Sequence, residues 1–143
     1  YLLADGGTGS TYRWTPGLAA GTYDVEVWYV KHQTYSVAPY TIAHAGQTTN
    51  ATLDQSVGGN AWYPIAAGIT FDGSGAEYVE VSDASGKTAA DAVRFVYTGG
   101  SGGGTVTEVY YRIKGSVPFN SEKTLIPGIS DAFVKQVFSI KGY

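Results

Sequence analysis

Thr22-Tyr23-Asp24-Val25-Glu26-Val27-Trp28-Tyr29-Val30 alternates without a break. Tyr23, Val25, Val27 and Tyr29 share one face, and Asp24, Glu26 and Trp28 share the other, because successive side chains of a strand point to opposite sides. The pattern predicts a half-buried antiparallel strand with one face on a core and one toward water. Trp28 then lies on the wet face beside two acids. It is either a tryptophan covered by a neighbouring loop or an exposed platform for stacking.

The rest of the first 98 residues repeats this rhythm. Residues 1–21 are turn-rich, with one short strand at Thr11-Tyr12-Arg13-Trp14. Lys31 to Pro39 reads as a loop. Tyr40–His44 and Thr48–Asp54 read as a hairpin about Ala45-Gly46. Ala61–Ile65 and Gly68–Phe71 read as a strand or a pair, broken by Pro64 and Gly68. Glu77–Ser82 turns Val79 and Val81 inward, and Ala92–Tyr97 turns Val93, Phe95 and Tyr97 inward. Strands recurring about every ten residues with Gly and Asp turns between them predict an all-β sandwich. The expected core is Tyr23, Val25, Val27, Val79, Val81, Val93 and Phe95. Twelve tyrosines, twenty glycines and 15% charged residues agree with that class.

Gly99-Gly100-Ser101-Gly102-Gly103-Gly104 has no side chain that could join a core and reads as a linker. It divides the chain into a body, residues 1–98, and an extension, residues 105–143. Through residue 104 the chain carries four basic and nine acidic residues, and beyond it five basic and three acidic ones. An acidic body is therefore tethered to a basic extension. Thr105–Lys114 alternates, with Val109, Tyr111 and Ile113 against Glu108, Tyr110, Arg112 and Lys114. Gly115–Asn120 breaks the pattern, and Ser130 can cap a short helix that carries Ala132, Phe133, Val137 and Phe138 on one side. A segment this short cannot bury its own core without a disulfide, a metal or a partner, and the chain has no cysteine. The expected partner is another copy of the body, reached through Val109, Tyr111, Ile113 and Phe119. Folding back onto its own body is the competing arrangement.

Several stretches of the body resemble the golvesin C-terminal-like domain, also found attached to xanthan lyases. They are Trp14-Thr15-Pro16-Gly17-Leu18, Ala20 through Tyr29, Ala38-Pro39-Tyr40-Thr41-Ile42 with His44-Ala45-Gly46, and Asp54-Gln55. Gly59 with Trp62, Val81-Ser82-Asp83 and Ala90 through Phe95 complete the set, in matching order over residues 1–97. The resemblance implies a jelly-roll-like antiparallel sandwich, similar to carbohydrate-binding accessory modules of secreted bacterial proteins, and brings no catalytic site. It implies a place outside the cell. The family pattern normally opens with a strand ahead of Tyr1-Leu2, so the expected sandwich has an open edge that invites a strand from elsewhere. The chain has no methionine and reads as a processed product or an excised fragment.

Chemistry is sparse. There is no Gly-x-Ser-x-Gly elbow, phosphate loop or zinc spacing. His32 falls in a loop and His44 reads as a packed strand residue. Asp91 reads as an ion-pair or capping residue. Asp5, Asp72 and Asp83 sit in glycine turns, where Asp is an ordinary turn former and calcium is the alternative. The expectation is no enzyme, no metal and no cofactor. The acidic body argues against nucleic acid, and no apolar run reaches the roughly 20 residues of a membrane span. Trp28, Tyr35 and Trp62 are the residues able to stack on sugar rings. The expected function is a structural or adhesive extracellular module that assembles head to tail with copies of itself. The alternative is a carbohydrate-binding accessory domain for a polysaccharide.

Overall fold

In the computed structural model the described residues are 1–99, 108–112 and 122–124. They form strands and no helix: β1 (Leu2–Ala4), β2 (Thr11–Thr15), β3 (Gly21–Trp28), β4 (Val37–His44), β5 (Gln47–Asp54), β6 (Trp62–Phe71), β7 (Tyr78–Ser82), β8 (Thr88–Ala90), β9 (Ala92–Gly99), β10 (Glu108–Arg112) and β11 (Glu122–Thr124). One sheet has the order β10-β9-β3-β6, the other β11-β2-β7-β4-β5, and β1 pairs with β8. The described residues form an all-β sandwich.

The core lies between the two sheets. Tyr23, Val25, Val27, Val79, Val81, Val93 and Phe95 all belong to it, each 3% exposed or less. They come from β3, β7 and β9, and period-2 alternation turns each toward the opposite sheet. Phe71 closes the layer with its ring edge-on to Tyr23 and Phe95, centroids 5.7 and 5.6 Å away. His44 is buried as a packed strand residue. Its Nδ1 bonds the Thr70 carbonyl oxygen at 3.1 Å and its Nε2 the Thr49 hydroxyl at 2.9 Å, which ties β4 to β6 across the layers.

Three elements differ from the sequence reading. β6 is one strand running through Pro64 and Gly68. It lies at a sheet edge, where a missing N–H is tolerated, and its ladder with β3 absorbs the irregularity in two register shifts. Gly68 turns left-handed (φ 66) and donates its N–H to the Asp24 carboxylate at 2.8 Å. Leu2–Ala4, expected within a turn-rich segment, pairs antiparallel with Thr88–Ala90. β4 starts at Val37, inside the expected loop.

Gln55 explains how so short a strand as β8 is held. It is fully buried. Its side-chain oxygen accepts the Ala89 N–H at 2.8 Å, and its Nε2 donates to the Ala89 carbonyl (2.8 Å) and to the Tyr40 hydroxyl (3.0 Å). The amide thus supplies the donor and acceptor that a neighbouring strand would supply, and no polar atom of the side chain is left unpaired. Glu77 is buried in a comparable way, accepting the N–H groups of Gly73, Ser74 and Gly75 at 2.7, 3.2 and 2.9 Å.

Candidate functional site

The outer face of the β9-β3-β6 sheet holds Trp28 and Trp62, two of the three aromatic residues picked out in the sequence, beside Glu26 and Arg94. Trp28 and Trp62 sit directly opposite each other on β3 and β6, and Glu26 sits opposite Arg94 on β9. The indoles meet edge to face, centroids 5.7 Å apart at 69°. Arg94 grips the Glu26 carboxylate through Nε (2.6 Å) and Nη2. Its guanidinium lies over the Trp62 ring, 4.7 Å from the centroid. Charge and ring quadrupole both attract it there. The result is a row across three strands: acid, guanidinium, indole, indole.

This geometry is a corner, not a flat platform. One face of Trp62 is taken by Arg94, and Trp28 stands across its edge. Both indoles are half-buried, so Trp28 lies on the wet face as its alternation predicts. Tyr35 does not join them. It lies in the β3–β4 loop, only 8% exposed, with its ring against His32 at 5.3 Å. Burial, followed by a hydrogen bond with Tyr1, pushes its phenol up to about 12. The sequence offered no signal for this, because a tyrosine in a loop has no periodicity to read. Arg94 and Glu26 were not picked as site residues. Their outward parity was legible, and their juxtaposition was not.

The other sheet carries a parallel device. Arg13 pairs with Glu80 at 2.9 Å and lies over the Tyr78 ring, 3.7 Å from its centroid.

The extension meets the body at two edges. β10 pairs antiparallel with β9, from Glu108 opposite Val96 to Arg112 opposite Ala92. This register sets Val109 opposite Phe95 and Tyr111 opposite Val93, two core positions. β11, a strand the sequence reading did not find, pairs parallel with Arg13–Thr15 of β2. Ile113, Phe119 and the helix expected after Ser130 lie outside the described residues.

The golvesin C-terminal domain family matches the chain over residues 1–97. The chain belongs to that family. No curated protein and no solved structure matches it. The stretches that carry the golvesin pattern now have physical roles. Asp54-Gln55 closes β5 and braces β8, Ala20 through Tyr29 contains the central strand β3, and Ala90 through Phe95 leads from β8 into β9, which pairs with β3 in the same sheet and turns Val93 and Phe95 into the core.

Within the golvesin domain several titratable groups are engaged in turns and local hydrogen bonds. Asp72 Oδ1 accepts the Ser74 N–H at 3.0 Å, and hydrogen bonds to Ser74 hold its carboxyl below the usual range. Asp83 Oδ2 accepts the Thr8 hydroxyl at 2.8 Å. His32 Nδ1 is 2.8 Å from the Thr34 hydroxyl. No group of three or more His, Asp and Glu side chains converges among the described residues. No helix among them is long and apolar enough to cross a membrane.

Proposed function

We propose that this golvesin domain is a non-catalytic extracellular structural module, and that its extension joins copies head to tail. The observation that carries the reading is the seating of residues 108–112 on β9 in an unbroken antiparallel register. An edge beside β9 exists, and the extension fits it. The same backbone pairs form whether the strand comes from its own chain or from a neighbour, as in strand exchange generally. What separates the closed monomer from the open chain of copies is then the effective concentration of the tethered strand, millimolar for a short linker. Copies crowded on a surface reach that range. The acidic body and basic extension favour the encounter. A head-to-tail contact that does not close on itself grows a filament.

Sedimentation of the full chain at rising concentration tests this. Oligomers larger than a dimer should appear as the concentration approaches millimolar and vanish in Tyr111→Pro, which disrupts strand β10. A chain that never exceeds a dimer, or a Tyr111→Pro variant that still forms the larger species, would overturn it. A carbohydrate-binding role is the second reading, and it rests on the half-buried Trp28–Trp62 corner. It requires Trp28→Ala and Trp62→Ala to lose retention on an insoluble polysaccharide while their melting curves persist.

A further inference from the structure

Among the described residues the two large sheets end in four edge strands, and three are blunted. β10 and β11 are short and charged, with Glu108 and Arg112 in one and Glu122 and Lys123 in the other. The third edge, β6, carries Pro64, a left-handed Gly68 and two register shifts against β3. Proline and bulges are the usual means of blunting an edge against pairing. The fourth edge, β5, has none of these. It pairs with β4 at all eight positions from Gln47 to Asp54 with no register shift. It contains no proline, glycine or lysine, and its one charge is the terminal Asp54. Among the described residues β4 is its only neighbour in the sheet.

The turn decides which backbone groups this edge presents. Ala45 (φ 43) and Gly46 (φ 71) are both left-handed, the signature of a two-residue type I′ hairpin. The flanking pair His44–Gln47 is then hydrogen-bonded, and bonded and non-bonded pairs alternate from there. Gln47, Thr49, Ala51 and Leu53 therefore bond β4. Thr48, Asn50, Thr52 and Asp54 direct N–H and C=O away from it. The side chains of Thr48, Asn50 and Thr52 are also exposed. The Asp54 carbonyl accepts the Tyr29 hydroxyl at 3.3 Å; from Thr48 to Thr52 the edge offers a regular row of outward donors and acceptors beside a row of uncharged polar side chains.

We propose that β5 is a self-association edge, where two copies pair β5 antiparallel to β5 about a two-fold axis at Asn50. In this register Thr48 faces Thr52 of the second copy and Asn50 faces its equivalent. These are cross-strand pairs of the hydrogen-bonding kind that stabilise a ladder. Self-pairing is selected by charge. From Gln47 to Leu53 no charged group is present to attract a charged strand, and none opposes its own copy across the axis. A two-fold contact uses one surface twice, so a single such edge suffices. The five-stranded sheet then runs on into the second copy. This contact uses neither β9 nor residues 108–112, so it stands apart from head-to-tail exchange.

The test is sedimentation velocity on the full chain from micromolar to millimolar concentration. A dimer is expected. Asn50→Pro removes an outward N–H and leaves the backbone ladder to β4 intact, losing only the exposed 3.3 Å bond from the Thr41 hydroxyl to Asn50 Oδ1, so it should weaken the dimer about tenfold or more and lower the melting temperature only slightly. If the proline variant fails to fold, Asn50→Cys gives an independent reading. The natural chain has no cysteine, so mild oxidation should link this variant into dimers, whereas Gln33→Cys in an exposed loop should stay monomeric. A monomer at every concentration, or a dimer indifferent to Asn50→Pro with no Asn50→Cys cross-link, overturns the proposal. So does an Asn50-dependent dimer that appears only after residues 105–143 are deleted, which would mean that the chain's own C-terminal residues occupy the edge.

Discussion

The inner and outer faces of β3 are held by different physics. Inward, Tyr23, Val25 and Val27 are 3%, 0% and 1% exposed and packed in one cluster with Val79, Val81, Val93 and Phe95. Outward, each side chain has one named partner: Asp24 the Gly68 N–H, Glu26 the Arg94 guanidinium, and Trp28 the Trp62 ring. Buried apolar side chains contribute roughly 1.5–3 kcal/mol each by area alone, whatever their neighbour. Half-exposed pairs contribute about 1 kcal/mol or less and only in one alignment. The inner face therefore supplies the stability, and the outer face specifies the register. A slip by one residue would part Glu26 from Arg94 and carry the whole apolar set to the wrong face.

The largest test of this division is Val27→Asp. It buries a carboxylate with no partner, and we expect a loss of about 4 kcal/mol or more, enough to unfold the domain. A circular dichroism melt matching the parent would break the assignment of faces.

Alkaline titration examines the same interior without mutation. Burial raises the phenol of Tyr12 to about 12 and that of Tyr40 still more strongly, while Tyr35 is raised to about 12 by burial and its bond with Tyr1. Below the ordinary tyrosine value of 10 these phenols are neutral in both states, and stability does not depend on them. Above it the unfolded chain releases protons that the folded chain keeps, so stability falls as pH rises from about 10 toward 12. Tyrosinate absorbance should show these phenols ionising together with unfolding. Smooth ionisation in a still-folded protein would contradict their burial.

Gln55→Ala should cost about 3 kcal/mol, because it strands the Ala89 N–H and carbonyl and the Tyr40 hydroxyl in a dry site. Its melting temperature gives the value, and a loss under about 1 kcal/mol would mean that β8 is held by β1 alone.

The smallest effects are expected outside. Arg94 and Glu26 are each 21% exposed in their side chains, against 36% for Arg13 in the matching pair on the other sheet. Arg94→Met should therefore cost about 1 kcal/mol and Arg13→Met about half that, since screening weakens the more exposed pair. A double-mutant cycle of Arg94 with Glu26 isolates the pair term. Equal losses at the two arginines would show that exposure does not distinguish the sheets.

Alternation is a property of neighbouring residues, so the chain alone determined that Tyr23, Val25, Val27 and Phe95 point inward and that Asp24, Glu26 and Trp28 point outward. It likewise marked Ala45-Gly46 as a turn. Which outward residues meet was not local information. Glu26 and Arg94 lie 68 residues apart, and only the order β9-β3-β6 brings them to one line with Trp62. The burial of Tyr35, the pairing of Leu2–Ala4 with Thr88–Ala90, and the unbroken run of β6 through Pro64 likewise depend on what each segment is packed against. An alternating run at Glu108–Arg112 reads as a strand anywhere. That it lies on β9, and that β5 is the edge with no blunting residue, was decided by the closure of the two sheets, because an edge exists only once every other strand has found its neighbours.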